Sequence, residues 1–149
     1  MSAAATVERL QCDPSLDETL LAQLLSGSTI LGAEPRYAHF LTSNNNSEER
    51  VRGATILMRP PEGFSAERMT RLLQCHGARA MLGRIDPSGV RDDPFWLPNV
   101  WVNIGVKPED GNYAVTLETD NLTENIHLAA TAVAFAQDHG AAKNTPAIE

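Results

Sequence analysis

Apolar positions recur along this chain at two spacings, and each spacing marks one kind of element. Leu16, Leu20, Leu21, Leu24 and Leu25 form a stripe at helical spacing. Ser15, with Glu18 three residues on, reads as a capping box that starts this helix, and Gly27 reads as its end. Before it, residues 1–12 read as a frayed or strand-like lead-in. After it, Pro35 to Leu41 reads as a short helical or irregular stretch. The run from Ser43 to Glu49 is polar enough for a solvated loop.

The pattern then sharpens. Residues 53–59 read as a strand stopped by Pro60 and Pro61, neither of which donates to a ladder. Ser65 is a suitable N-cap for a helix over 66–82, with Gly83 supplying its C-terminal turn. Residues 84–99 hold three prolines and read as a long loop. Val100, Val102, Ile104 and Val106 alternate with more polar neighbours and predict a half-buried strand over 100–107, with Trp101 covering its other face. A turn around Asp110 and Gly111 returns the chain through a strand over 112–119. Asn121 and Glu124 form a second capping box. The final helix, 122–138, is expected to bury Leu122, Ile126, Ala129, Ala130 and Val133. The order strand-helix-strand-strand-helix predicts an α+β fold: a small antiparallel, ferredoxin-like sheet preceded by an N-terminal helix. Residues 1–149 are read as one domain, with loose ends near 1–12 and 140–149.

Composition narrows the function classes. Nineteen acidic residues against twelve Lys and Arg give a net charge of -7, the wrong balance for a general nucleic-acid binder. No apolar run approaches the roughly 18 residues of a membrane span. The N-terminus has neither a basic n-region nor an apolar h-region. A periplasmic location is therefore expected only if a signal peptide has been removed, and a cytoplasmic one otherwise. The patterns GxSxG, HExxH and Walker A are all missing, so no familiar catalytic constellation stands out.

The densest chemistry lies at Cys75 and His76 in the second predicted helix, where His76 falls among Met69, Leu72 and Ala80. Thiolate and imidazole are soft donors suited to copper, zinc or haem iron. His39 is the candidate third ligand. The same residues read equally well as a packed thiol and a buried, hydrogen-bonded histidine. Cys12 and Cys75 are the only cysteines, which leaves one disulfide or two thiols. Asp86, Asp92 and Asp93 read as solvated loop charge. Arg68, Arg71 and Arg79 give the helix a basic flank for an anion or for the acidic C-terminal segment. Leu128, Phe135 and Trp101 lie off the expected stripes, and this apparent outer face predicts a homodimer.

The segments GATILMRPPEGFSAERMTRLLQCHGARAML and GNYAVTLETD resemble a group of small, mostly exported bacterial proteins of uncharacterised function, in which the helix carries a Cys-His-x-Ala-Arg core. Gly63, Cys75, His76, Ala78, Arg79, Gly111 and Asp120 carry the likeness, over about residues 53–136. The resemblance implies the α+β fold and favours an exported protein, in which Cys12 and Cys75 would bond. Some members place a further His and Cys after the helix, and this chain has neither between Gly77 and His127. The reading that follows is a small ligand-binding protein for a transition metal or haem, with His39, Cys75 and His76 as ligands. The alternatives are a non-catalytic interaction or homo-oligomerisation domain, and a small-molecule enzyme with a pocket in the sheet.

Overall fold

A computed structural model describing residues 2–41 and 47–144 shows how the apolar stripes read above are buried. Two short helices lead in, α1 (Ala3–Gln11) and α2 (Glu18–Gly27). A long hairpin follows, β1 (Thr29–Leu41) and β2 (Ser47–Arg59). Next come α3 (Ala66–Met81), a 3-10 turn at Pro87–Gly89, the hairpin of β3 (Asn103–Glu109) and β4 (Asn112–Glu118), and α4 (Leu122–Asn144). The strands form one sheet in the order β1-β2-β4-β3, with every neighbouring pair antiparallel.

This is the predicted α+β domain, its strand-helix-strand-strand-helix core running from β2 to α4. β2 and β3 run parallel with β4 between them, the split β-α-β arrangement of a ferredoxin-like sheet. The fourth strand, β1, comes from before this core rather than after it. Helix α4 lies over β1 and β2, α3 lies over β3, and α1 and α2 pack against α3. The core fills the space between these layers, with Ile56 and Met58 from β2, Val115 and Leu117 from β4, Leu72 from α3 and Phe135 from α4 all fully buried.

Local chemistry sets the boundaries. The Ser65 hydroxyl accepts from the Arg68 amide at 3.1 Å and starts α3. Asp110 and Gly111 both take positive φ, 50° and 83°, as a two-residue hairpin turn requires. Between Pro35 and Tyr37 the β1–β2 register shifts. Gly53 lies at this bulge with φ 115°, and a Cβ there would sit 1.9 Å from the Leu117 carbonyl oxygen. Only glycine lets β2 close on β4 at that point.

Several sequence expectations change. Residues 3–11 are helical rather than frayed or strand-like, and the Ser2 hydroxyl caps them by accepting from the Ala5 amide at 3.1 Å. Helix α2 is capped by Asp17, not Ser15, because the Asp17 carboxylate accepts from the Leu20 amide while Ser15 turns back on Asp13. Pro35 to Leu41 is strand, not helix. Its proline is accommodated because β1 is an edge strand with a bulge there. Residues 42–46 of the expected loop lie outside the described residues, while Ser47–Glu49 already belong to β2.

The largest correction concerns α4. Ile126 is 60 % exposed, whereas Leu128, Ala129, Ala132, Phe135 and Ala136 are buried. This helix is apolar almost all round, so periodicity alone placed its inward face about one residue off. The helix also continues through residue 144, where a loose tail from Gly140 was expected.

Cys12 and Cys75 form a disulfide, with Cα atoms 5.4 Å apart and a sequence separation of 63. It fastens the end of α1 to the middle of α3. By the chain-entropy model a loop of this length contributes about 4 kcal/mol. Replacing both cysteines by serine should lower unfolding stability by about that amount in urea titrations, with a native-like far-ultraviolet spectrum retained. A loss within error of zero would show that the bond constrains nothing.

Candidate functional site

Five consecutive residues of α3, Cys75-His76-Gly77-Ala78-Arg79, each make a different contact with the rest of the chain. Cys75 bonds to Cys12. Ala78 is buried against Ala4 and Val7 of α1. The Arg79 guanidinium donates to the carbonyls of Leu16 and Asp13. One turn earlier, Arg71 donates to the Gln11 carbonyl at 2.9 Å. Residues 71, 75 and 79 share a helix face, so this row stitches the segment between α1 and α2 along α3. The basic flank therefore serves backbone carbonyls of residues 11–16 and not the C-terminal acidic segment. Arg68 is likewise occupied, donating to the Gly63 carbonyl at 2.8 Å.

His76 is 1 % exposed and has a carboxylate at each ring nitrogen. Nδ1 lies 2.9 Å and 3.1 Å from the two oxygens of Glu18, the first residue of α2. Nε2 lies 2.5 Å from Asp93 Oδ2. A neutral imidazole has one N–H and would set a lone pair against one of these carboxylates. The imidazolium donates to both. Burial opposes that charge, but the hydrogen bonds the ring donates to Asp93 and Glu18, and the negative charge of both, outweigh it and raise the His76 pKa to about 9. The ring therefore holds a fixed charge at neutral pH and has no nitrogen free to act as a base.

Asp93 is positioned by its own loop. Its second oxygen accepts from the Phe95 amide at 2.8 Å, and the Phe95 ring is buried edge-on against Phe135 at 5.4 Å between centroids. Gly77 allows the approach: a Cβ there would lie 2.8 Å from the Phe95 carbonyl oxygen. The glycine beside His76 thus lets the 93–96 segment lie directly on α3.

Glu18 also forms part of a groove of about 910 Å³. One wall is α2, through Leu21, Ala22 and Leu25; the opposite wall is the loop after α3, through Ile85 and Val90. Asp138 and His139 of α4 close the end. At this end Asp92, with φ 52°, meets Asp138, and the hydrogen bond between the two carboxyls, with burial and their like charge, raises the Asp92 pKa. The Arg91 guanidinium is 3.5 Å from Asp138 and 3.9 Å from Asp92. His139 stacks on Phe135 with centroids 4.1 Å apart and hydrogen-bonds the Phe135 carbonyl through Nδ1 at 3.0 Å.

The structure does not bring the three expected metal ligands together. Cys75 is spent in the disulfide, and both His76 nitrogens face carboxylates. His39 is exposed and pairs with Glu49 on the outer part of the β1–β2 hairpin, beyond the stretch of β2 that pairs with β4. Among the described residues no group of three His, Cys, Asp or Glu side chains is arranged to hold an ion. Glu18 and Asp93 are the residues that sequence reasoning missed. One was assigned to a capping box and the other to solvated charge. The available signal was His76 itself, because a histidine on an apolar helix face needs polar partners.

The expected outer face is also absent: Leu128 and Phe135 are fully buried, and Trp101 packs partly buried beside Ala4, Val7 and Ala78. No family model, curated protein or solved structure matches the chain.

The His76 clamp makes stability depend on pH with a definite sign. Its pKa is raised from 6.5 to about 9 on folding, so its contribution is complete below pH 6.5 and is lost as pH rises through 9. The shift corresponds to about 3 kcal/mol. The melting temperature of the wild type should fall more steeply between pH 7 and pH 10 than that of His76→Gln. Parallel profiles would show that the ring is not held as the cation.

Proposed function

We propose that this chain is a small ligand-binding protein whose site is the groove between α2, the loop after α3 and the end of α4. The observation that carries this reading is a cavity of about 910 Å³ with apolar side walls and charged groups gathered at its rim. Concave, mainly apolar sites of roughly 300–1,000 Å³ with a few polar groups are typical of small-molecule recognition. The clamp supports the reading mechanically, because Glu18 belongs both to the groove and to the His76 contact. That contact fixes the start of α2 against α3, and the Asp93 contact fixes the other wall. A site with walls held in advance loses less conformational entropy on binding.

A metal or haem at the residues first considered would require more. It would have to displace Glu18 or Asp93 from His76, and Cys75 would become a donor only after reduction of its disulfide. The groove demands neither change. The disulfide favours an oxidising compartment, in keeping with the exported proteins that the sequence resembles.

The expected homodimer rests on different ground from the buried α4 face. β1 is an edge strand, and Leu31, Tyr37 and Leu41 along it are 44 %, 56 % and 83 % exposed. An unpaired edge carrying large apolar side chains is suited to pairing with the same strand of a second copy. Light scattering should give twice the chain mass of 16.2 kDa at micromolar concentration, and the Tyr37→Glu/Leu41→Glu variant should return to the single-chain mass. A wild type at single-chain mass removes this assembly.

Binding is checked with a neutral apolar fluorophore, 1-N-phenylnaphthylamine. Saturable fluorescence enhancement is expected for the wild type. Ala22→Trp, which fills the groove from its α2 wall, should weaken it roughly tenfold or more, equivalent to about 1.4 kcal/mol, without lowering the melting temperature. Equal binding by both proteins, or none by the wild type, would rule out this groove as the site.

A further inference from the structure

We infer that the groove selects a small organic cation, an ammonium or guanidinium head on an apolar body. This inference rests on the binding reading above and adds the chemical class of the ligand.

The body of such a ligand has a matching surface. Leu21 and Leu25 on one wall and Ile85 and Val90 on the other offer no hydrogen bonds and leave an apolar chain desolvated on two sides. The head has a matching rim. Carboxylates reach the groove from three separate elements: Glu18 from α2, Asp86 from the 3-10 turn and Asp138 from α4.

The cations nearby do not cancel this charge. The His76 imidazolium is shared by Glu18 and Asp93, so that cluster carries one negative charge in excess. Arg91, which also lines the groove, balances the Asp92–Asp138 pair, whose mutual hydrogen bond shares a proton, so the excess negative charge comes from the Glu18 cluster and Asp86. A net charge of -7 over the whole chain adds a long-range field of the same sign.

A carboxylate or phosphate ligand would meet these groups with Arg91, already paired, and the His139 ring, already bonded through Nδ1, to receive it. A neutral apolar ligand would fill the walls and leave the rim unused. The size of the cavity suits one small molecule rather than a folded segment of a macromolecule.

The test compares three probes with one chain length, n-octylammonium, octanol and octanoate, by calorimetric titration of the full, oxidised protein. The ammonium should bind roughly tenfold or more tightly than the alcohol, with the carboxylate weakest, and the preference should shrink as salt is added. The Asp86→Asn/Asp138→Asn variant should lose the ammonium preference and keep its affinity for octanol, which also reports that the groove is still folded. Asparagine preserves the cap of the 3-10 turn at position 86. If octanol matches n-octylammonium, or octanoate exceeds it, the cation inference is overturned while groove binding stands. If none of the three saturates, the groove reading falls with it.

Discussion

A positive charge buried where water cannot reach it must be matched by negative charge, and in this chain that constraint joins three parts of the sequence. His76 comes from the middle of α3, Glu18 from the first turn of α2 and Asp93 from an otherwise irregular loop. Each nitrogen of the ring faces a different segment. The contact therefore fixes directions as well as distances, since rotating the ring to improve one hydrogen bond spoils the other. Removing one carboxylate would leave one N–H of a buried cation without its acceptor, which costs more than the loss of a surface ion pair. Burial and charge pull in opposite directions here, and the two carboxylates decide the outcome.

Around this centre, side chains of very different chemistry act at consecutive positions. The disulfide at Cys75 limits the freedom of the unfolded chain, while Arg79 ties down carbonyls of the turn between α1 and α2. Gly77 contributes by lacking a side chain, because the Phe95 carbonyl occupies the space that one would need. The Cys-His-x-Ala-Arg core thus has an architectural use at every named position. Its chemistry looks catalytic or metal-binding only when the residues are considered apart from their partners.

The sequence was most informative where periodicity and punctuation agree. The helix beginning after Ser65 and the hairpin turning at Asp110 and Gly111 were legible because a cap or turn residue coincides with a change of hydrophobic spacing. Strand β1 was hidden by Pro35, whose position at an edge and a bulge is a property of the assembled sheet. The inward face of α4 was ambiguous because alanines surround it, and burial of Phe135 rather than Ile126 depends on what the sheet and Phe95 present to it. At the site, His76 and Cys75 stood out by residue type. Glu18 and Asp93 did not, because acidic residues near helix starts and in loops are ordinary until a long-range contact gives them a role.

The sheet order also has a consequence for how the chain assembles. β2 has a local partner on one side, β1, joined through a single hairpin, but its other neighbour is β4, which the chain reaches only after α3, a long loop and β3. The split arrangement makes β4 the last strand available to close the middle of the sheet. Until it docks, one whole edge of β2 remains unpaired, with Ala54, Ile56 and Met58 lacking the layer that later covers them. Non-local pairing of this kind is slow compared with hairpin closure, and an open apolar edge is a surface on which chains associate. The inner half of β2, fully enclosed in the finished sheet, is thus left with an open side until the last strand arrives.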